Sequence, residues 1–233
     1  MKLLAVDTSG PVCGVAILTE QGVCYDCAVQ NRLTHSSNLM PMIDHAFQST
    51  GLSIGDMDRI AVVTGPGSFT GVRIGVSTVK GLAHGAGKHC VAIDALEAMA
   101  AGITGFDGIV CPIQDARAGQ VYGAAFRPGM PPERLMDDIP LKVEEFAEKI
   151  QTLGDRFLFL GDGMPVHRAR LTELLGDKAV FAPPQCAYLR PASVAALAEK
   201  SKTLLDYNEL MPMYLRAPSA ERNKKLMEAA NAK

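Results

Sequence analysis

The apolar positions of this chain keep two rhythms, and each rhythm predicts an element. Residues 2–9, KLLAVDTS, are apolar on both faces, which predicts a short strand inside a sheet rather than at its edge. Gly10-Pro11 is a turn. Residues 12–18 and 23–30 read as a second and third strand, so the chain opens as a three-stranded meander whose first turn carries Asp7, Thr8 and Ser9. The period then becomes helical: Leu39, Met42, Ile43, Ala46 and Phe47 fall at i, i+3, i+4, i+7 and i+8. Pro41 restricts where that helix begins, because proline is tolerated only before the internal hydrogen bonds start. The expected cap is Ser36 or Ser37, with Thr50-Gly51 as the end. Met40 lies off the main stripe and widens the apolar surface.

Residues 58–64 predict a fourth strand, broken by Gly65-Pro66-Gly67, and a glycine-rich helix follows. Gly71, Gly75, Thr78, Leu82 and Gly85 recur at intervals of three and four and form one seam. Val72, Val76, Val79, Ala83 and Ala86 form the apolar stripe beside it. A helix-interior glycine costs about 0.8–1 kcal/mol relative to alanine, so packing has to compensate. A bare seam lets another backbone approach closely. That backbone is this protein's own sheet, a second chain, or both.

Residues 89–93 predict a fifth strand, 94–101 a short alanine-rich helix, and 102–108, with three glycines, a hinge. The second half then starts as the first did. Residues 108–114 are an apolar strand ending at Asp115, a turn Ala116-Arg117-Ala118-Gly119 follows, and 120–126 return as a strand. LLAVDTSGPVCGVAI and IVCPIQDARAGQVYGAAF form a weak internal repeat placed where a duplicated lobe would begin. Residues 128–138 read as a proline-rich loop, 143–153 as an amphipathic helix, and 157–160 as a strand ending in Gly161-Asp162-Gly163. Residues 165–175 and 192–205 read as helices, and 212–216 as a short extended piece. The expected fold is α/β: two similar lobes, each a mixed sheet flanked by helices.

Composition narrows the function. The chain has 233 residues with 48% hydrophobic and 21% charged, ordinary for a globular protein, and it has no apolar run of membrane-spanning length. Met1 to Asp7 meets a carboxylate too soon for a signal peptide, so a cytoplasmic protein is expected. The six cysteines sit mostly in strand-like apolar runs, and Cys24-Tyr25-Asp26-Cys27 has no second pair to complete a zinc site. The net charge of −2 leaves no basic footprint for an independent RNA binder. Only the tail from Arg216 on is basic, with Arg216, Arg222, Lys224, Lys225 and Lys233 against Glu221 and Glu228.

Three strand-end turns carry the candidate chemistry: Asp7-Thr8-Ser9, Asp115-Ala116-Arg117 and Gly161-Asp162-Gly163. In a two-lobe fold they can face one cleft, where hydroxyls and backbone N–H groups suit phosphate and Asp7 a hydrated Mg²⁺. The bland alternative is ordinary turn chemistry. Gly65–Gly71 is neither a Walker A loop nor a G-x-G-x-x-G turn, and the histidines make neither H-x-x-x-H nor H-E-x-x-H. No G-x-S-x-G elbow is present.

The strings VDTS, VVTGPGSFTGVRIG, QDARAGQVY and FLGDG, in this order and at these spacings, closely resemble the bacterial TsaB (YeaZ) family over about residues 1–216. GPGSFTGVRIG is the most specific of them. The resemblance implies two actin-like (RNase H-like) lobes of the actin, sugar kinase and Hsp70-like superfamily. It also implies a role in making threonylcarbamoyladenosine on the adenosine beside the anticodon of tRNAs that read codons beginning with A. In that family the related protein TsaD is the transferase and carries a metal on an H-x-x-x-H helix pair. The ATPase TsaE joins TsaD and its non-catalytic partner.

The corresponding stretch here, Asp94-Ala95-Leu96-Glu97-Ala98-Met99-Ala100, holds no histidine, so the resemblance implies a degenerate copy with neither a catalytic residue nor a metal. The same departure disfavours a metallopeptidase. The first phosphate turn lacks the superfamily's extra glycine, and Gly161-Asp162-Gly163 is a short remnant of the adenosine-side turn. The implied cleft of Asp7, Thr8, Ser9, Asp115, Arg117, Gly161, Asp162 and Gly163 is therefore expected to bind no cofactor tightly alone, with ATP and Mg²⁺ entering only in the complex.

The resemblance further implies that two first-lobe helices dock TsaD, with Leu39, Met42, Ile43, Ala46, Gly71, Gly75, Thr78 and Leu82 as candidate contacts. The same surface serves a homodimer when the chain is isolated. The expected division is a first lobe at 1–105, a second at 106–216 and a basic tail at 217–233. The tail is the candidate tRNA contact. An alternative of another class is an ATP-dependent phosphotransferase or ATPase using Asp7, Thr8 and Asp115.

Overall fold

The structure, a computed structural model, describes residues 1–31 and 33–216. The first half runs β1 (Leu3–Asp7), β2 (Cys13–Thr19), β3 (Gly22–Val29), α1 (His35–Thr50), β4 (Arg59–Gly65), α2 (Phe69–Ala86), β5 (His89–Asp94) and α3 (Ala95–Ala101). The second runs β6 (Ile109–Arg117), β7 (Gln120–Arg127), β8 (Glu133–Lys142), α4 (Val143–Gln151), β9 (Phe157–Leu160), α5 (Gly163–Leu175), β10 (Ala179–Phe181) and α6 (Pro191–Lys200). The sheet orders are β3-β2-β1-β4-β5 and β10-β9-β6-β7-β8. In both, the first three strands are antiparallel and the last two run parallel to the first. The two halves are thus one topology used twice, with β1 and β6 central. That is why KLLAVD and IVCPIQ are apolar on both faces.

The layers follow from where each face is buried. The outer face of the first sheet packs Leu4, Val6, Val15 and Val62 against α1 and α2. The outer face of the second packs Cys111, Ile113, Phe157 and Phe159 against α4 and α5. The inner faces share one core in which α3 and α6 lie between the sheets, with Leu3, Ala61, Phe126 and Leu160 meeting Leu96, Met99 and Val194. The chain does not stay within its own half. α6 packs on the first sheet, and the segment after it returns along the first lobe. There Leu205 bridges to Cys90, Leu210 is buried in the first-lobe outer core, and Met213 N donates to Thr64 O at 2.7 Å.

Some expectations are corrected. α1 begins at His35 with Thr34 as its cap, so Pro41 sits inside the helix. Pro41 is exposed, as is Ser37, whose carbonyl loses its helical donor, while Leu39, Met42, Ile43 and Ala46 are buried and offset the break. Most of the expected proline-rich loop is β8. Pro140 is tolerated there because β8 is an edge strand, with Pro140 opposite Tyr122 of β7. The last helix stops at Lys200, and β10, three residues long, carries too little pattern to be read from sequence. The basic tail at 217–233 lies outside the described residues.

Candidate functional site

The three turns do converge. A cleft of about 520 Å³ between the lobes is lined by Ser9, Gly10, His35, Ser68, Gln114, Asp115, Arg117 and Asp162, with residues 213–216 as one wall. Its size is ordinary for a small-molecule site. Asp7, Ser9 and Asp162 line a narrower recess at its base. Each side chain is delivered by a strand end or helix start. β1 supplies Asp7 and Ser9, β6 supplies Gln114 and Asp115, and the start of α5 supplies Asp162. Gly161 and Gly163 stand behind the lining. A Cβ on Gly161 would lie 2.2 Å from the carbonyl oxygen of Ile113, and one on Gly163 would lie 3.0 Å from the same atom. Glycine is what lets α5 start against β6.

Electrostatically the cleft is unfinished. Asp7 is 2% exposed, and burial raises its pKa although its Oδ1 accepts from Ser9 N at 2.8 Å. Burial, with the Asp115 charge adding to it, pushes Asp162 up to about 6. Asp115 Oδ1 accepts from Arg117 N at 2.9 Å. The Arg117 guanidinium, 3.3 Å from the Asp115 carboxylate, is 88% exposed and reaches into solvent. His35 Nε2 donates to Gly10 O at 2.9 Å, and its Nδ1 is buried without a partner. Among the described residues, the buried side-chain atoms without a partner are Ser9 Oγ, His35 Nδ1, both Gln114 amide atoms, Asp162 Oδ1 and His167 Nε2. Four of these five residues line the cleft, and the fifth, His167, lies 3.9 Å from Asp115. A buried polar group without a partner costs about 1–3 kcal/mol, so such a cluster marks a place built to meet water or a polar ligand.

Thr8 is not part of this lining. It is fully buried, and its hydroxyl donates to Gly71 O at 2.7 Å. Gln114 and His35 went unread from sequence. The signal for Gln114 was a polar residue closing an apolar strand one position before Asp115. For His35 there was none. No group of three or more His, Cys, Asp or Glu gathers at metal-binding geometry among the described residues.

The candidate docking residues divide differently. Leu39, Met42, Ile43 and Ala46 are buried in the first-lobe outer core. Gly71 and Gly75 face inward too: their Cβ atoms would lie 2.1 Å from Thr8 O and 2.5 Å from Thr8 Oγ1. These six make the chain's own interior and are not an outward surface. Thr78 and Leu82 are half-buried. The outward side of the helix pair is Met40, at 48% exposure, with Ile74, Ser77, Thr78, Gly81, Leu82 and Gly85. A Cβ on Gly81 or Gly85 would meet nothing within 4 Å. The flank of α2 nearer the cleft is clothed by the returning segment. Tyr214 stacks on Phe69 at 4.9 Å and accepts from Arg73 Nε at 2.7 Å, and Tyr207 stacks on His84 at 4.4 Å.

Comparison with known proteins agrees with this architecture. A family model described as "TsaD: tRNA N6-adenosine threonylcarbamoyltransferase" matches residues 29–231. The chain is 34% identical to "tRNA threonylcarbamoyladenosine biosynthesis protein TsaB" of Bacillus subtilis over 95% of this chain and 96% of that one. The chain belongs to the TsaB (YeaZ) family. It is also 31% identical to the Escherichia coli protein of the same name, over 93% of this chain and 95% of that one. "YeaZ from Pseudomonas aeruginosa" superposes with a TM-score of 0.78 at 24% identity, covering 92% of this chain and 99% of that one, which shows the shared fold. No helix among the described residues is long and apolar enough to cross a membrane.

Proposed function

We propose that this chain takes part in forming threonylcarbamoyladenosine on the adenosine next to the anticodon of tRNAs reading A-starting codons, in the cytoplasm, as a non-catalytic partner of TsaD. TsaD meets the outward strip of α1 and α2, TsaE joins the assembly, and tRNA is engaged through the complex. The relatives named for this biosynthesis support the role. The observation that carries the docking reading is the pair Gly81 and Gly85. Both sit on the outward side of α2 with nothing of this chain near them, so intrachain packing gives no reason for the about 0.8–1 kcal/mol that each costs the helix. Exposed Met40 on the neighbouring helix α1 adds an apolar contact. In the absence of TsaD the same strip pairs two copies of the chain.

The test is the mass of the chain in solution, alone and with TsaD, followed by calorimetry. Association that survives in wild type and is lost in Met40→Glu supports the reading. Two folded proteins that never associate reject it.

The six unpartnered atoms around the cleft favour a second, compatible element: ATP with Mg²⁺ held between the lobes once TsaD is bound. Ser9, Gln114, Arg117 and Asp162 are the residues that would hold it, and the nucleotide would bring a chelated cation and a phosphate chain. Calorimetry with MgATP on the isolated chain separates this from a self-sufficient ATPase. Micromolar binding with turnover lost in Asp7→Ala would mean that the chain is an enzyme in its own right.

A further inference from the structure

The turn after β1 points two ways. Ser9 and Asp7 face the cleft, whereas Thr8 faces the helix that carries the outward strip. We propose that Thr8 is a positioning residue for that helix: its hydroxyl sets the height and pitch of α2, and so of the strip that meets TsaD. The proposal rests on the docking reading above.

Three contacts bolt the turn to the start of α2 with no side-chain slack. Ser68 N donates to Ser9 O at 2.7 Å, just before the helix begins. Thr8 Oγ1 donates to Gly71 O at 2.7 Å, one turn in. Gly75, one turn further, lies so close that a Cβ there would come within 2.5 Å of Thr8 Oγ1 and 3.3 Å of Val62 Cγ2. Thr8 therefore both holds the helix down and limits how far down it comes. A helix is stiff over two turns, so a tilt imposed at Gly71 and Gly75 is carried to Thr78, Gly81 and Leu82. The Thr8 side chain is fully buried and lies outside the cleft lining, so it is free of any duty toward a ligand there.

The experiment is a cycle of TsaD affinities by calorimetry on full-length variants whose far-UV circular dichroism matches wild type. Thr8→Val keeps the volume and removes the hydrogen bond, and it is expected to weaken TsaD binding about threefold to tenfold, with Thr8→Ser restoring it. Gly75→Ala is expected to weaken binding by lifting the helix off Oγ1. The pair Thr8→Ala with Gly75→Ala removes the clash, and so loses less than the two single changes together. A merely structural threonine would change the melting temperature and leave these affinities alone. Wild-type affinity in folded Thr8→Val, or losses that simply add in the cycle, overturns the proposal. Should Thr8→Val not fold, Gly75→Ala and its combination decide. Met40→Glu is measured beside them. If it binds TsaD as wild type does, the docking reading fails and takes this proposal with it. If Met40→Glu weakens binding and the Thr8 and Gly75 variants do not, only the role of Thr8 fails.

Discussion

The two lobes share a strand order but clothe their outer helices in opposite ways. In the second lobe, α4 and α5 turn charge outward. Arg170 donates to Glu144 at 2.8 Å across the helix pair and lies 2.7 Å from Glu173 on its own helix, and Glu145, Glu148, Lys149 and Arg168 are exposed. In the first lobe, the outward side of α1 and α2 offers Met40, Ile74, Ser77, Gly81, Leu82 and Gly85, with Asp44 an exposed charge one turn from Met40. Surface ion pairs add little stability, about 0–1 kcal/mol each, but they keep a face soluble and unattractive to other apolar surfaces. A layer with the same place in the fold that carries fewer charges suits a docking face. On the docking reading proposed above, one duplicated lobe meets water and the other meets a protein.

The glycines of α2 break the comparison hardest. Gly71→Ala puts a Cβ 2.1 Å from the Thr8 carbonyl oxygen, where backbone has to move, and is expected to cost about 3 kcal/mol or more in urea unfolding. A next test reverses the surface chemistry. Met40→Glu should weaken TsaD binding at least about tenfold by desolvating a carboxylate at the contact, while Arg170→Ala on the second lobe leaves it unchanged.

A smaller effect concerns the joint between the lobes. Arg134 of β8 lies 3.5 Å from Asp94 and 3.9 Å from Glu97 of the first lobe and bonds Asp138 on its own strand. Burial, then the neighbouring Asp138, pushes Asp94 up to about 8 from its ordinary 3.8. The folded chain therefore keeps a proton that the unfolded chain gives up between those values. Stability from this group is full below about pH 4 and falls as pH rises through about 8. Asp94→Asn preserves an acceptor for Glu97 N. It should flatten the stability profile over that range by up to one proton and leave the variant the more stable at pH 8, read by thermal melts across pH. The smallest effect is the mildest glycine change. Gly81→Ala meets nothing and should raise the stability of the isolated chain by about 0.5–1 kcal/mol, the opposite sign to Gly71→Ala on the same helix.

Much of the architecture was legible. A strand apolar on both faces has to lie inside a sheet, and that alone places β1 and β6 centrally. The recurrence of strand, Asp, polar turn and strand announced a duplication, and three strand-end turns announced one cleft. The failures have physical causes. Pro41 looks like a boundary in sequence because nothing local says that it and Ser37, whose carbonyl it leaves without a donor, lie on the exposed side. The start of β8 reads as loop because Pro128, Pro131 and Pro132 stand just before it and Glu133, Arg134, Asp137 and Asp138 give it no apolar alternation, which an edge strand can do without. Gly71 and Gly81 are chemically identical and about 80° of helical rotation apart; spacing gives that angle but not which of the two faces the sheet.

By itself, the order of residues determined the alternation of strands and helices, the repeat, the family and the positions of the three turns, because these depend on period, on backbone freedom and on local turn chemistry. Only the tertiary structure decided which way things face. It turned Thr8 toward α2 and Ser9 toward the cleft, and it brought Gln114 and His35 to the same opening from separate lobes. It also laid the returning chain along one flank of α2 and left the opposite flank bare. Orientation of this kind comes from packing between residues far apart in the chain, and no local pattern records it.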